Sequence, residues 1–296
     1  MKIYISEETE PALNAAFEEW LLRTPGGVTE PSALLYQNEP AVLMGRNQNP
    51  WTECSPATCR AKDIRLMRRI SGGGTVYHDR GNLNIAFIMP RSQNDPSCFT
   101  AFMTGLLQEL GLDTVSADEH RSLFIGDRKV CGTAYAVTPG GALLHGCLLV
   151  NADLAQLQGA LTPSRDITVH GGGIPSRRVP VMNLSDAVGA LSCEDVAMLA
   201  MAMLQERAQP DTEALPLAAA DLSGQPAFDR SLAKFRSDAW TYGHCADFTA
   251  QVRTPCGTAV LAVSNGQVTA VSDGGNGLPA TAVGMPLHDL MAILSN

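Results

Sequence analysis

Apolar side chains recur at helical spacing over residues 9–23, where Leu13, Ala16, Phe17, Trp20 and Leu21 share one face. A capping-type Thr9 and an early proline precede them, so a first helix is expected there. A second helix is expected over 97–110, with Phe99, Phe102, Met103, Leu106 and Leu107 in register and Gly111 as its stop. Between the two, short β-rich runs occupy 32–37, 41–45 and 64–69, and NLNIAFIM starts at Asn82. Residues 122–137 predict a hairpin with Gly126 and Asp127 at its turn, and ALLHGCLLV from Ala142 predicts another strand.

Farther on, 153–161 reads as a short helix and 162–180, with three consecutive glycines, as a long loop of the kind that usually carries function. Amphipathic helices are expected over 193–208 and 228–242, joined by a Pro- and Ala-rich connection over 209–226. A boundary is placed near 242–249. Beyond it, TAVLAVSNGQVTAVSD consists of two alternating runs around Asn265-Gly266, a strong hairpin signal, and a helix over 286–294 closes the chain. The pattern predicts an α+β fold, a mixed sheet flanked by helices, divided into 1–244 and a small C-terminal α/β accessory unit over 249–296.

Composition narrows the function classes. The 296 residues are 45% apolar and 17% charged, which suits an ordinary globular protein. A formal charge of −9 argues against broad nucleic-acid binding, so an anionic ligand must meet a local basic site. No export signal and no membrane-spanning run is visible, so a cytoplasmic location is expected. The eight cysteines are scattered without metal-ligand spacing and read as reduced thiols.

Three stretches carry candidate chemistry. In RRISGGGTVYHDRGN, Arg68 to Asn82, glycines without Cβ let backbone N–H groups approach an anion, and Arg68 and Arg69 add charge and a donor fork. A tight glycine turn between strands is the plainer alternative. In GDRKVCGTAY, Lys129 follows a turn and enters a strand of small residues, where it can point into a cleft or remain a solvated hairpin lysine. His145 interrupts the apolar strand ALLHGCLLV, as a structural or a functional residue.

Together these stretches resemble the lipoate–protein ligase A family, within a superfamily related to biotin protein ligase. MGRNQNPWTEC, RRISGGGTVYHDRGN, GDRKVCGTAY, HGCLLVNADL and IPSRRVPVMNL occur in that family's order, and the likeness runs over about 2–248. The resemblance implies ATP-dependent activation of lipoate or octanoate to an acyl-adenylate, followed by transfer to a lysine of a lipoyl carrier domain. Such carriers belong to 2-oxoacid dehydrogenase E2 subunits or the glycine cleavage H protein; no nucleic acid or membrane partner is implied. Lys129 matches the family's essential lysine, touching both the acyl carboxylate and the α-phosphate. Arg69, Gly74, Thr75, Val76, Tyr77 and Asn82 match its nucleotide-binding positions. Ser71, Gly72, Gly73, His78 and His145, with Arg69, Gly74 and Lys129, match the lipoate site.

Gly171, Gly172, Gly173, Arg177 and Arg178 fall in the segment expected to fold over the adenylate. Magnesium is expected with ATP, through no identified protein ligand. Two positions depart from the family. Arg121-Ser122 stands where an Asn-Asp pair is usual, which removes a carboxylate near the lysine that Asp118, Glu119 or Asp127 could replace, and Ala136 stands where some relatives have arginine. The rival readings are an acyltransferase using a pre-activated donor and a non-catalytic lipoate-binding homologue. Cys131 and Cys147, in the two site strands, read as packing residues rather than nucleophiles.

Overall fold

The two most continuous apolar runs, Asn82–Met89 and Gly141–Leu149, lie side by side as antiparallel strands. Each serves two cores, so neither alternates apolar with polar. Leu83, Ile85 and Phe87 enter one core, while Ala86 and Ile88 enter the other. The computed structural model describes residues 1–208 and 212–295, so 209–211, the start of the predicted 209–226 connection, and Asn296 lie outside the described residues.

In chain order the strands begin with β1 (Lys2–Ser6), β2 (Ser32–Tyr36), β3 (Ala41–Met44), β4 (Arg65–Arg68) and β5 (Val76–His78). Next come β6 (Asn82–Met89), β7 (Val115–Ala117), β8 (Leu123–Ile125), β9 (Arg128–Thr138) and β10 (Gly141–Leu149). The last are β11 (Ile167–Gly171), β12 (Ala214–Leu217), β13 (Phe248–Thr254), β14 (Gly257–Ser264) and β15 (Gln267–Asp273). The helices are α1 (Pro11–Leu22), α2 (Pro50–Glu53), α3 (Pro56–Ala61), α4 (Pro96–Glu109), α5 (Leu154–Ala160) and α6 (Ser185–Val188). They continue with α7 (Cys193–Arg207), α8 (Ala219–Leu222), α9 (Pro226–Arg236), α10 (Asp238–Thr241) and α11 (Leu287–Leu294).

Among the described residues the main sheet has the order β12-β1-β2-β6-β10-β9-β8-β7. Its β12-β1-β2 edge is parallel and the remainder antiparallel. Phe99, Phe102, Met103 and Leu106 of α4, with Val196, Ala200 and Leu204 of α7, cover one face. Helix α1 covers the other and is itself covered by α9, through Phe17 stacked on Phe228 at 5.3 Å. Burial of each such side chain stabilises by roughly 1.5–3 kcal/mol. Because α1 lies between sheet and helix, even its Asn14, Glu18 and Glu19 are buried; Glu18 faces the site, while Glu19 pairs with Arg23 and Lys234. A three-stranded sheet, β4-β3-β5, carries the glycine loop, and β11-β13-β14-β15 forms the C-terminal sheet.

Several elements differ from the sequence expectation. Glu10, not Thr9, is the N-cap of α1, without a side-chain cap bond; the Thr9 hydroxyl donates to Glu39 instead. The helix expected over 228–242 breaks at Ser237, whose hydroxyl accepts the Trp240 N–H and starts a new turn. The 209–226 connection contains β12 and α8, and β12 pairs with β1. The long loop 162–180 contains a strand: β11 pairs with β13, with Ile167 buried and Thr168 and His170 outward in strand alternation. The Asn265-Gly266 turn does form, with φ of +50° and +74° at its two centres.

Candidate active site

Lys129 opens β9 with its backbone clamped, its N–H donating to Pro180 O (2.9 Å) and its carbonyl accepting from Met182 N–H (3.1 Å). Small neighbours give its side chain room, and the Nζ lies 3.2 Å from where a Cβ on Gly132 would sit. Burial pulls its pKa below the ordinary lysine value, while Asp118 favours the charged form. Asp118 anchors a tight turn by accepting the His120 and Ser122 N–H groups (2.9 Å each) on one carboxylate oxygen. That turn holds Arg121 at φ +63° and lines the same cavity as Lys129. Asp127, by contrast, is exposed and lines no part of that cavity.

The two arginines before the glycine loop differ from the expected anion fork. Arg68 is fully buried and donates to five backbone carbonyls: Gly45, Arg46, Gln48, Trp240 and Thr241. Its guanidinium is a structural tie rather than a ligand for an anion. Arg69 donates to the Ser71 hydroxyl (2.9 Å) and to the carbonyls of Leu43, Gly72 and Gly74 (2.7 Å each), and so braces the loop from within. Burial lowers both guanidinium pKa values to about 10, although the Glu18 carboxylate nearby favours the charged form of Arg69.

A second polar chain crosses beneath the loop. Glu18 of α1 accepts from the Tyr36 hydroxyl (2.9 Å) and from His145 Nδ1 (2.8 Å). His145 Nε2 lies 2.7 Å from the Ser71 hydroxyl, which already accepts from Arg69, leaving its own proton for the ring. His78, on β5 of the three-stranded sheet, is 4% exposed, and burial pushes its pKa down to about 3, so its ring is neutral.

The segment after β11 lies over the opposite wall. Gly172 and Gly173 have φ of +80° and +159°, and a Cβ on either would come within 2.7 Å of Phe248 Cβ or of the Asn49 backbone nitrogen. These glycines permit close approach as well as a turn. Ser176 is then held by three groups. Its hydroxyl accepts from Thr75 N–H (2.9 Å) and Gln48 Nε2 (2.9 Å) and donates to the buried Glu53 carboxylate, which also accepts the Ser176 N–H (3.1 Å). Arg178 donates to the carbonyls of Leu161 (2.5 Å) and Glu53 (3.0 Å), and Arg177 reaches Glu119 across the mouth (3.5 Å).

Two adjoining cavities result, of about 640 and 570 Å³. Arg69, Gly72, Gly73, Gly74, Thr75, Val76, His78, Lys129, His145 and Arg177 line the larger. Thr75, Val76, Lys129 and Arg177 also line the smaller, with Tyr77 and Arg178. Ser71, Asn82, Gly171, Gly172 and Gly173 line neither and act from behind. Asn82, for one, accepts the Asp79 N–H and shapes the turn after β5. Gln48 and Glu53 fall within the sequence motif MGRNQNPWTEC, yet nothing in spacing tied them to Ser176, more than 120 positions away.

Among the described residues no group of three or more His, Cys, Asp or Glu is placed to hold a metal ion, and no helix is long and apolar enough to cross a membrane. All eight cysteines are unpaired. Burial pushes Cys131 up to about 12 and Cys147 well above its ordinary value, so both thiols stay protonated.

Residues 10–205 match the model of the lipoyl protein ligase A/B catalytic domain. A lipoate-protein ligase A of Psychrobacter cryohalolentis is 30% identical over 259 residues, 86% of this chain and 76% of that protein. Among solved structures, P. falciparum LipL1 in complex with lipoate superposes with a TM-score of 0.72 at 21% identity, covering 92% of this chain and 83% of that one. A lipoate-protein ligase A bound with ATP gives a TM-score of 0.65 at 21% identity, covering 82% of this chain and 100% of the other.

Proposed function

The chain belongs to the lipoyl protein ligase A/B catalytic-domain family, and on that premise we propose that it is an ATP-dependent lipoate–protein ligase. The observation that carries this reading is the position of Lys129, a half-buried lysine that lines both of two adjoining cavities. The larger takes the acyl acid and the smaller the nucleotide. A cation shared by both is what two reacting anions need.

In the first half-reaction a carboxylate oxygen of lipoate attacks the α-phosphorus of ATP, the bond from that phosphorus to the bridging oxygen breaks, and pyrophosphate leaves. Lys129 offsets the like charge of the reactants as they approach. Gly74, Thr75, Val76 and Tyr77 contact the nucleotide, Gly72 and Gly73 face the acyl acid, and Arg177 and Arg178 flank the phosphates. Arg69, Ser71 and Asn82 hold these groups in place. His78 and His145 line the acyl end. Magnesium fits only as an ion carried by the triphosphate, with oxygen ligands from phosphate and water, where it would neutralise phosphate charge.

In the second half-reaction the neutral amine of a carrier lysine attacks the acyl carbon, the bond from that carbon to AMP oxygen breaks, and the amine proton passes to solvent. The carrier is a lipoyl domain of a 2-oxoacid dehydrogenase E2 subunit or the glycine cleavage H protein, met in the cytoplasm. Residues 1–244 supply the catalytic portion and 249–296 the accessory unit. The protonated state of Cys131 and Cys147 weighs against a thioester route from a pre-activated donor.

The test is pyrophosphate release by the purified protein with ATP, magnesium and lipoate. Lipoate-dependent release supports the ligase. Acyl transfer from synthetic lipoyl-AMP without any such release would point to the transferase instead.

A further inference from the structure

One turn at the mouth of the larger cavity is held in a conformation that its residues do not favour. Arg121 sits at φ +63°, in the left-handed region that favours glycine. Several bonds fix it there. Asp118 N–H donates to Ser122 O (3.0 Å), Arg121 N–H donates to Asp118 O (2.9 Å), and Asp118 Oδ1 accepts the His120 and Ser122 N–H groups (2.9 Å each). The Thr133 hydroxyl donates to His120 O (3.1 Å) and Leu123 pairs with Cys131, so the turn is fastened over residues 131–133 of β9. The Nζ of Lys129 lies along the same stretch, against Gly132. Backbone so constrained in a cavity wall is there to present a group.

That group is a carboxylate. Asp118 is half-buried and lines the larger cavity with Lys129, and among the described residues its Oδ2 accepts no hydrogen bond. The other acids nearby are engaged or turned away. Glu18 accepts from Tyr36 and His145, Glu53 holds Ser176, and the exposed Glu119 reaches Arg177 and His120 (3.5 Å each). Asp127 lines no part of the cavity. Burial and the Arg69 guanidinium both push the lysine towards its neutral form, and the thiols of Cys131 and Cys147 are themselves protonated. Asp118 is then the negative charge that favours the ammonium. Arg121 and Arg177, the cations of the mouth, are exposed and screened by solvent.

We propose that Asp118 is the counter-charge of Lys129, a positioning residue whose free carboxylate oxygen holds the lysine as an ammonium beside Gly132 in the empty site, until the acid and the nucleotide bring their own negative charge. This rests on the ligase reading and deepens it by naming what keeps the cation ready between turnovers. Among the described residues Lys129 forms no ion pair, so Asp118 acts across the cavity, where charges interact more strongly than in bulk water. A contact pair would tie the ammonium down, whereas a charge at a distance leaves it free to turn to the reactants.

The test reads Lys129 directly. The chain has four lysines, Lys2, Lys62, Lys129 and Lys234, so isotopic labelling of their ε-carbons gives a short set of NMR signals, and that of Lys129 is the one lost in Lys129→Met. Asp118→Asn keeps an oxygen for the two amides and removes only the charge; if it melts early, Asp118→Ser, whose hydroxyl accepts the same amides, takes its place. Without substrates, the neutral variant should lower the alkaline midpoint of Lys129 by about 0.5 to 1 in pH, and Glu119→Gln should move it much less. In turnover, the alkaline limb of kcat/KM, which reports the free enzyme, should move down with it while that of kcat stays. A midpoint unmoved in the folded neutral variant, an equal shift in Glu119→Gln, or limbs of kcat and kcat/KM that move together would each overturn the proposal. Because the titration needs neither ATP nor lipoate, a wild type that releases no pyrophosphate would remove the ligase reading alone, and an unmoved midpoint would remove the counter-charge alone.

Discussion

The Nζ atom of Lys129 lies 3.2 Å from the point that a Cβ on Gly132 would occupy. Gly132 sits in an ordinary strand without positive φ, so its lack of a side chain serves the lysine rather than the backbone. Gly132→Ala should fold with little change in melting temperature, since the crowded atom is the end of a flexible side chain. Displacement of the ammonium by a few tenths of an ångström should nonetheless lower lipoate-dependent pyrophosphate release by about tenfold. Wild-type turnover in this variant would mean that the lysine acts from elsewhere.

Lys129→Ala should lose about a hundredfold or more in adenylate formation, the cost of one positioned electrostatic donor. Arginine should not rescue it, because a planar fork cannot take the place of a compact ammonium beside Gly132. Burial lowers the folded-state pKa of Lys129, so its charge costs stability at every pH below that value, and the cost fades as pH rises through it towards the unfolded value. Near neutral pH, therefore, Lys129→Met should melt no lower than wild type while being inactive. Wild-type activation should fail at alkaline pH with a midpoint below the ordinary lysine value of about 10.4. A lower melting point for the methionine variant would show that the ammonium is a structural tie.

The hold of Glu53 on Ser176 makes the covering segment more fixed than three glycines alone suggest. Glu53→Ala removes the acceptor of both the Ser176 N–H and hydroxyl, while Gln48 and Thr75 still hold the hydroxyl. Trypsin cleavage after Arg177 or Arg178 should then be about five- to tenfold faster than in wild type, as opening becomes easier by about one hydrogen bond. Equal cleavage rates would place the anchoring elsewhere.

Arg68 should prove a stability residue. Arg68→Met keeps most of the volume but strands buried carbonyls of residues 45–48 and 240–241, at a cost on the order of 3 kcal/mol. A fall in melting temperature of roughly 6 °C or more is expected. If the variant instead kept its melting point and lost ATP affinity, the guanidinium would be a phosphate ligand after all.

What the sequence made legible follows from what is local. The Asn265-Gly266 turn, the apolar β6 and β10 and the helices α4 and α7 are set by residues adjacent in the chain, and each was readable. Strand β12 was not, because its short Ala-Leu-Pro-Leu run is a strand only by pairing with β1, some 210 residues earlier. Strand β11 was hidden by the glycines that follow it. The residues RRISGGG suggested an anion site, but whether an arginine faces a ligand or a carbonyl depends on what packs behind it. For Arg68 that partner is a turn more than 170 positions away. Glu18 and Gln48 escaped notice for the same reason, since each acts through a residue distant in sequence.

Strand β11, though it precedes residue 244, pairs along β13 and leads at once into the segment that carries Ser176. Trp51, from the helix that supplies Glu53, is likewise buried among Phe248, Val252 and Leu290 of the last fifty residues. The two portions are therefore not modules that can be traded between proteins. A chain stopped at residue 244 would expose the hydrogen-bonding edge of β11 and the indole of Trp51, and would sooner aggregate than work as a smaller enzyme. Any graft of a foreign accessory unit would have to bring its own match for Ile167–Gly171, so the seam between the portions runs through the sheet rather than along the chain.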